Sequence, residues 1–371
     1  MSFSGRLRDK RGSASPPSRF ASIALCAVLV QVIGAGAARA DTYTVGNVSA
    51  LISAINAVNN AGGSHTIILA AGVTFELTSV NNTTDGANGL PVIGGAKAVN
   101  LTILGNGDVI ERVDTIYSGR SGKKKAVMPA FRLFDVAAGA LLTLDHVTLK
   151  DGLGTGGSVY NHGSVMVSYS YLTNGITTAG GEIYNAGGTV TVGNSTLSRG
   201  IINVSGTVVV GYSTLYGLSN SGGMVTANHT TGAGFDNESG TMTISDCSVS
   251  GGYAPGGGGI YNAGSLTVTN STISGNHAWD GGGIYNHGAA ILSGCAIYGN
   301  TAEAFYGGDG AYEQRTGGGI YNDGTLTIKD ASHVYANYYS DLGDDVLNLG
   351  VLYLDSTSTI GVWDGNAPIP F

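Results

Sequence analysis

Basic residues are scarce in this chain. Lysine and arginine number 17 in 371 residues against 25 acidic ones, and six of the 17 fall within residues 1–40. The rest of the chain, with 11 basic and 24 acidic residues, carries a net charge of −13. That leaves no basic stripe to follow a phosphate backbone, which excludes nucleic acid as a partner. Charge-driven attraction to anionic membranes is excluded on the same ground. Cysteine is nearly absent: beyond Cys26 there are only Cys247 and Cys295. Long apolar runs are missing after residue 37, so no membrane insertion of the mature chain is expected. Charged residues make up 11% of the chain and proline only seven positions, yet 42% of residues are hydrophobic, which argues against disorder. The 62 glycines follow no period of three, which excludes collagen.

What is present begins with a processing segment. Arg6, Arg8, Lys10, Arg11 and Arg19 precede an apolar run over 21–37, followed by Ala38-Arg39-Ala40. Basic, apolar and small-x-small regions in this order predict a secretory signal peptide, residues 1–40, cut after Ala40. A retained anchor is the alternative, but the run is short for a membrane span. The mature protein is expected to be soluble, secreted or held at the cell surface.

Glycine then marks a repeat. GGGIYN occurs at 257–262, 281–286 and 317–322. Around it, an Asn followed after one or two residues by Gly recurs at Asn161, Asn185, Asn203, Asn220, Asn237, Asn262, Asn286, Asn322 and Asn348. A period of this length reads as a solenoid. Within one unit the apolar positions alternate: Ile260, Leu266, Val268 and Ile273. Each unit therefore holds three short strands. Asn-x-Gly makes the first corner, and a pair such as Asn270-Ser271 makes the second. The Gly-rich stretch closes the coil. Parallel stacking of such coils gives an all-β, right-handed parallel β-helix with three short strands per coil, neighbouring coils lying ~4.8 Å apart. Ile260, Ile284 and Ile320 should form an interior column. The tyrosines beside them should point outward. Asn161, Asn185, Asn262, Asn286 and Asn322 should form a buried amide ladder.

The register places Cys247 and Cys295 in one column with Ser170, Ser195, Ser213 and Ser271, two coils apart. At ~9–10 Å they are too distant for a disulfide, which needs Cα atoms within ~7 Å. Two free, buried thiols are expected. Near the N-terminus, Leu51, Ile55 and Val58 share one helical face over 49–61, predicting a short capping helix over the solenoid's open end. Strands are expected at 65–69, 74–77, 101–104, 131–134, 141–144, 351–354 and 359–362. Residues 41–140 read as N-terminal cap and first coils, and 141–371 as repeat coils with a C-terminal cap.

The GGGIYN units, with VSALISAINAVNNAGGSHTIILAAGVTFELT and LTILGNGDVIER near the start, resemble the right-handed β-helix, pectin-lyase-like superfamily. Within it, the pattern is similar to exported bacterial proteins of the polymorphic outer-membrane and adhesin-type passenger kind. The resemblance covers nearly all of 42–362 and implies the fold. Activity does not follow from it, since this fold carries lyases, hydrolases and adhesins alike. The paired aspartates, Gly-His-Gly and Arg-Ile-Lys of the superfamily's hydrolases do not occur here as a set.

No residue stands out as catalytic. His287 and Asp323 share a column one coil apart and should pair as a solvated contact. The run Lys123-Lys124-Lys125 reads as a solvated loop. The strongest candidate is the edge built by the closing loops. One loop carries His277, Trp279 and Asp280. The next carries Asp309, Tyr312, Glu313 and Arg315, and the one after it Asp344 and Asp345. Aromatic faces beside carboxylates suit a sugar. Asp280, Asp309, Glu313, Asp344 and Asp345 offer oxygen ligands for Ca²⁺, although no cofactor is required. The leading reading is a non-catalytic, adhesin-like or glycan-binding monomer whose partner is an extracellular polysaccharide or a host or cell-surface ligand. The alternative is a polysaccharide lyase or glycoside hydrolase acting on acidic polysaccharide at the 277–315 edge. A minor alternative is ice binding through the Thr-x-Thr pairs at 189/191, 241/243 and 325/327, against which stand Met166, Val209 and Ile291 in the second threonine column.

Overall fold

The computed structural model describes residues 40–113, 130–175, 181–303, 317–338 and 344–371, with the backbone of four further short strands, Thr115–Ser118, Lys124–Val127, Phe305–Tyr306 and Tyr312–Glu313. The segment expected to be a signal peptide, up to residue 39, and the side chains of the lysine run lie outside the described residues.

The chain is an all-β, right-handed parallel β-helix. A representative coil runs Ile260–Asn262, Ser265–Thr269, Thr272–Ser274, as the alternation predicts. Each strand pairs in parallel with its counterpart one coil on: Ile260 with Ile284, Tyr261 with Tyr285, Asn262 with Asn286, and these in turn with Ile320, Tyr321 and Asn322. Alternate side chains point inward, so Ile260, Leu266, Val268 and Ile273 are at most 2% exposed. The interior is one continuous apolar column closed at the N-terminal end by the helix Val48–Ala61. Asn47 caps that helix by accepting a hydrogen bond from the Ala50 amide, and Leu51, Ala54, Ile55 and Val58 are buried against the first coils.

Several elements differ from expectation: the strand expected at 359–362 ends at Ile360, and Trp363–Gly365 and Ile369–Pro370 continue the stack beyond it. Thr42–Val45 is a strand, paired with Gly63–Leu69, and Val109–Arg112 pairs with both Thr74–Leu77 and Thr148–Lys150. The strand expected at 131–134 is instead Phe134–Val136. Phe134, Asp135 and Val136 align with Val159, Tyr160 and Asn161, so the outward column of the repeat begins on Asp135 and the ladder position on Val136.

The first corner holds the amide ladder. From Asn161 to Asn348, nine asparagines are joined by eight bonds in which the Nδ2 of one donates to the Oδ1 of the next coil's asparagine at 2.7–2.9 Å. All nine are fully buried. The second corner holds a hydroxyl ladder. The backbone amides of Ser170, Ser195, Cys247, Cys295 and Ser332 each donate to a serine hydroxyl one coil on, and Thr230 donates to the Cys247 sulfur. Cys247 and Cys295 are both free and buried, and burial raises the pKa of each thiol. A third ladder, Asn276 to Asn300 to Asn337 to Asp345, lines the start of the closing segments.

The GGG of the repeat is steric. Gly281 sits at φ +57; a Cβ on Gly282 would meet the carbonyl oxygens of Thr301 and Gly318 at 2.4 and 2.5 Å; one on Gly283 would meet that of Gly319 at 2.6 Å. GGGIYN is therefore scaffold, with one outward-pointing residue, the tyrosine.

Candidate functional site

The outward column of the first strands reads, coil by coil, Asp135, Tyr160, Tyr184, Ile202, Ser219, Asp236, Tyr261, Tyr285, Tyr321. It contains two runs of stacked tyrosines. Tyr160 and Tyr184 lie 5.3 Å apart at 6°; Tyr261, Tyr285 and Tyr321 follow at 5.4 and 4.7 Å. Each run begins one coil after an aspartate. Asp135 Oδ1 and Asp236 Oδ1 are both buried and make no hydrogen bond within the protein.

The two aspartates differ in their company. Asp135 is fully buried, and its Oδ2 accepts from Asn88 Nδ2 and lies 3.9 Å from Arg132. Burial raises its pKa and Arg132 opposes the rise. The Arg132 guanidinium also donates to Asn88 Oδ1 and to the carbonyls of Thr84, Asp85 and Thr155, and it packs 4.3 Å from the Tyr160 ring centroid. Its donors are spent on holding the 84–88 loop, which makes this cluster a clamp. His162 stands beside it, 3.7 Å from Asp85.

Among the described residues Asp236 has no such cation beside it. It lies in an open hollow of about 370 Å³ with Phe235, Pro255 and Tyr261. Burial first, and Glu238 second, push its pKa up to about 6. The hollow forms where coil length steps from 17 residues (Asn220 to Asn237) to 25 (Asn237 to Asn262). The longer coils have room for closing segments; the shorter ones do not.

Those closing segments make an additional small parallel sheet, Tyr253–Gly256, His277–Asp280 and Thr301–Ala302. Ala278 and Ala302 point inward and are buried. Tyr253, His277 and Trp279 alternate with them and face out. Tyr253 is 75% exposed and stacks on His277 at 6.4 Å, and His277 lies 3.4 Å from Glu303. Tyr338 extends this row through a parallel bridge to Thr301 and is 64% exposed. Trp279 is half-buried. Asp280 is buried, on the side of Tyr285, whose pKa is pushed up to about 12, mainly by burial.

The structure thus gathers His277 and Trp279 on one outward face and turns Asp280 inward. Asp345 serves the scaffold. Its Oδ1 accepts from the Asn337 amide and side chain, and its Oδ2 from the Val362 amide. Asp344 lies beside it at the surface end of the same segment. Asp309, Tyr312, Glu313 and Arg315 carry side chains outside the described residues; Tyr312–Glu313 pairs antiparallel with Phe305–Tyr306. Among the described residues no group of three or more His, Cys, Asp or Glu side chains converges on a metal position. His287 and Asp323 pair at 2.9 Å as expected. Tyr338 belongs to the same closing-loop edge in the sequence, whereas Asp236 and Tyr253 carry no motif that marks them there. The signal for Asp236 is its column position, an acid at the place that the next three coils fill with tyrosine.

No protein-family profile matches the chain, and no curated protein matches it. Solved structures similar to it in architecture include two from one organism. The A-module of Azotobacter vinelandii mannuronan C-5 epimerase AlgE4 aligns with 12% identity over 87% of this chain and 95% of its own, at a TM-score of 0.39. The A-module of AlgE6 from the same organism aligns with 12% identity over 88% of this chain and 100% of its own, at a TM-score of 0.44.

Proposed function

We propose that this protein binds an extracellular polysaccharide along the edge formed by its closing segments. The observation that carries this reading is the outward row Tyr253, His277 and Trp279, set by strand alternation on a small rigid sheet and continued by Tyr338. Aromatic faces spaced along parallel strands offer stacking surface at low entropy cost, and Glu303 beside His277 adds a hydrogen-bonding rim. Affinity electrophoresis through gels containing acidic and neutral polysaccharides tests it. Retardation by at least one polymer is expected to be lost in Tyr253→Ala/Trp279→Ala. A double variant retarded as the native protein is by every polymer refutes the reading.

A second reading, chemistry on the bound chain, is favoured by one observation: Asp236 sits in the hollow next to this row and is poised near pH 6. A carboxyl in that range can hold or release a proton at a sugar carbon or a glycosidic oxygen near neutrality. Incubation of each bound polymer with native and Asp236→Asn protein, followed by size and by NMR of the sugar protons, distinguishes an enzyme from a binder. Product formed by the native protein and lost in the variant supports chemistry; an unchanged polymer leaves binding alone.

A further inference from the structure

The second corner of each coil places one residue in left-handed backbone geometry. Down the rod that column reads His146, Tyr169, Asn194, Tyr212, His229, Asp246, Asn270, Gly294, Asp330, with φ between +47 and +66 at every position. Asn, Asp and Gly are the residues this geometry favours, and five of these nine positions obey. Tyrosine is poorly suited to it. Tyr169 and Tyr212 nevertheless occupy it, at φ +48 and +51.

Their side chains go into solvent. Tyr169 is 58% and Tyr212 52% exposed. Each stacks on a histidine from the adjacent coil: His146 on Tyr169 at 4.9 Å and 18°, His229 on Tyr212 at 4.7 Å and 22°. The two stacked pairs are separated by the single coil of Asn194. Beside them on the third strands stand Tyr171, 45% exposed, and Tyr216, 61% exposed. An open hollow of about 370 Å³ lies against the first pair, walled by Tyr169, Tyr171 and His146 and floored by Thr148, Asn194 and Thr196.

We propose that this corner is a second carbohydrate site, which takes a neutral polysaccharide chain running along the rod axis. The rings repeat at the coil spacing, ~4.8 Å per coil, so successive sugars meet successive coils. Thr148, Asn194 and Thr196 supply hydroxyl and amide partners between the rings. The neutral character follows from the charges beside the first pair and its hollow, which are mutually answered. Asp145 lies 3.0 Å from His146 and accepts from Ser168, and Lys150 is paired with Glu111 at 2.7 Å and Asp151 at 3.4 Å. The site lies between the second and third strands, away from the closing edge, and does not depend on the reading given to that edge.

The test uses the full mature chain in affinity electrophoresis with three neutral polymers, hydroxyethyl cellulose, xylan and dextran, and with polygalacturonate as the acidic control. The key variant is Tyr169→Asn/Tyr212→Asn. Asparagine suits the left-handed corner, so the variant keeps the fold, and thermal melting verifies this. The native protein is expected to be retarded by at least one neutral polymer, with a dissociation constant raised tenfold or more in the Asn variant and unchanged in Tyr253→Ala/Trp279→Ala. The proposal is overturned if no neutral polymer retards the native protein, or if the Asn variant binds as the native does. Binding confined to polygalacturonate and lost only in Tyr253→Ala/Trp279→Ala would overturn it while leaving the closing-edge reading standing. A protein partner at this corner instead would appear as no neutral-polymer retardation at all.

Discussion

Asp135 and Asp236 occupy equivalent places, one coil before a run of stacked tyrosines, yet only Asp135 has an arginine. The difference sets their chemistry. With Asp236 raised from 3.8 to about 6 in the folded state, the fold disfavours its ionised form. This group's unfavourable contribution is absent below about pH 4. It grows as pH rises through the window between 3.8 and about 6, and is complete above it. Asp236→Asn removes the contribution, so the variant should be more stable than the native protein at pH 8 by about 2 kcal/mol. The gain should vanish near pH 4. Chemical denaturation at both pH values checks this, and an equal effect at the two would contradict it. The tyrosines of the left-handed corner make a second residue-scale prediction. Replacing Tyr212, φ +51, by Asn should stabilise the fold by about 1 kcal/mol, measured as a shift in denaturation midpoint. A residue that weakens its own turn while exposing its ring is placed for something other than stability.

At the scale of the coil, the three ladders carry the register. Asn262 donates to Asn286 Oδ1, Gly264 O and Ala289 O, and accepts from Asn237. Asn262→Ala orphans several buried partners at once and should cost about 3 kcal/mol or more. Cys247→Ser should change stability by less than about 1 kcal/mol, because Ser271 one coil on holds the same position with the same bonds. Urea denaturation of the two variants side by side checks both. The first ladder is open in the sequence because Asn recurs beside Gly in every coil. The hydroxyl ladder is half visible: Ser170, Ser195, Ser213 and Ser271 align by counting, whereas Thr230 and Ser332 emerge only once the strands are paired. The third ladder is hidden. Asn276, Asn300 and Asn337 exist only in coils long enough to have closing segments, so the short coils offer no partner to align. The strand at Phe134–Val136 is obscured for a related reason. Asp135 and Val136 stand where the repeat spells Tyr and Asn, and the apolar Phe131 and Leu133, buried outside the strand, draw the pattern forward by three residues.

Across the whole molecule, the rod presents edges of different character. The face of the second strands carries Thr189, Thr191, Thr241, Thr243, Thr325 and Thr327, but Met166, Val209 and Ile291 break its second threonine column. The closing edge carries aromatic side chains on a rigid sheet with a carboxyl in the hollow beside them. Its aromatic half is legible in the sequence, since His277 and Trp279 fall in the Gly-rich stretch before GGGIYN. Asp236 is not, because nothing local distinguishes it from any other aspartate. Its setting follows from the step in coil length that opens the hollow.

The closing edge holds one of only two tryptophans in the chain, Trp279; the other, Trp363, lies near the C-terminus. Trp363→Phe therefore leaves a single fluorescent reporter on the proposed binding face. Titrating that variant with a polysaccharide whose retardation is lost in Tyr253→Ala/Trp279→Ala should shift and intensify or quench the Trp279 emission saturably, with the same dissociation constant as the gel measurement. Saturable binding with the Trp279 spectrum unchanged would place the ligand elsewhere and contradict the account.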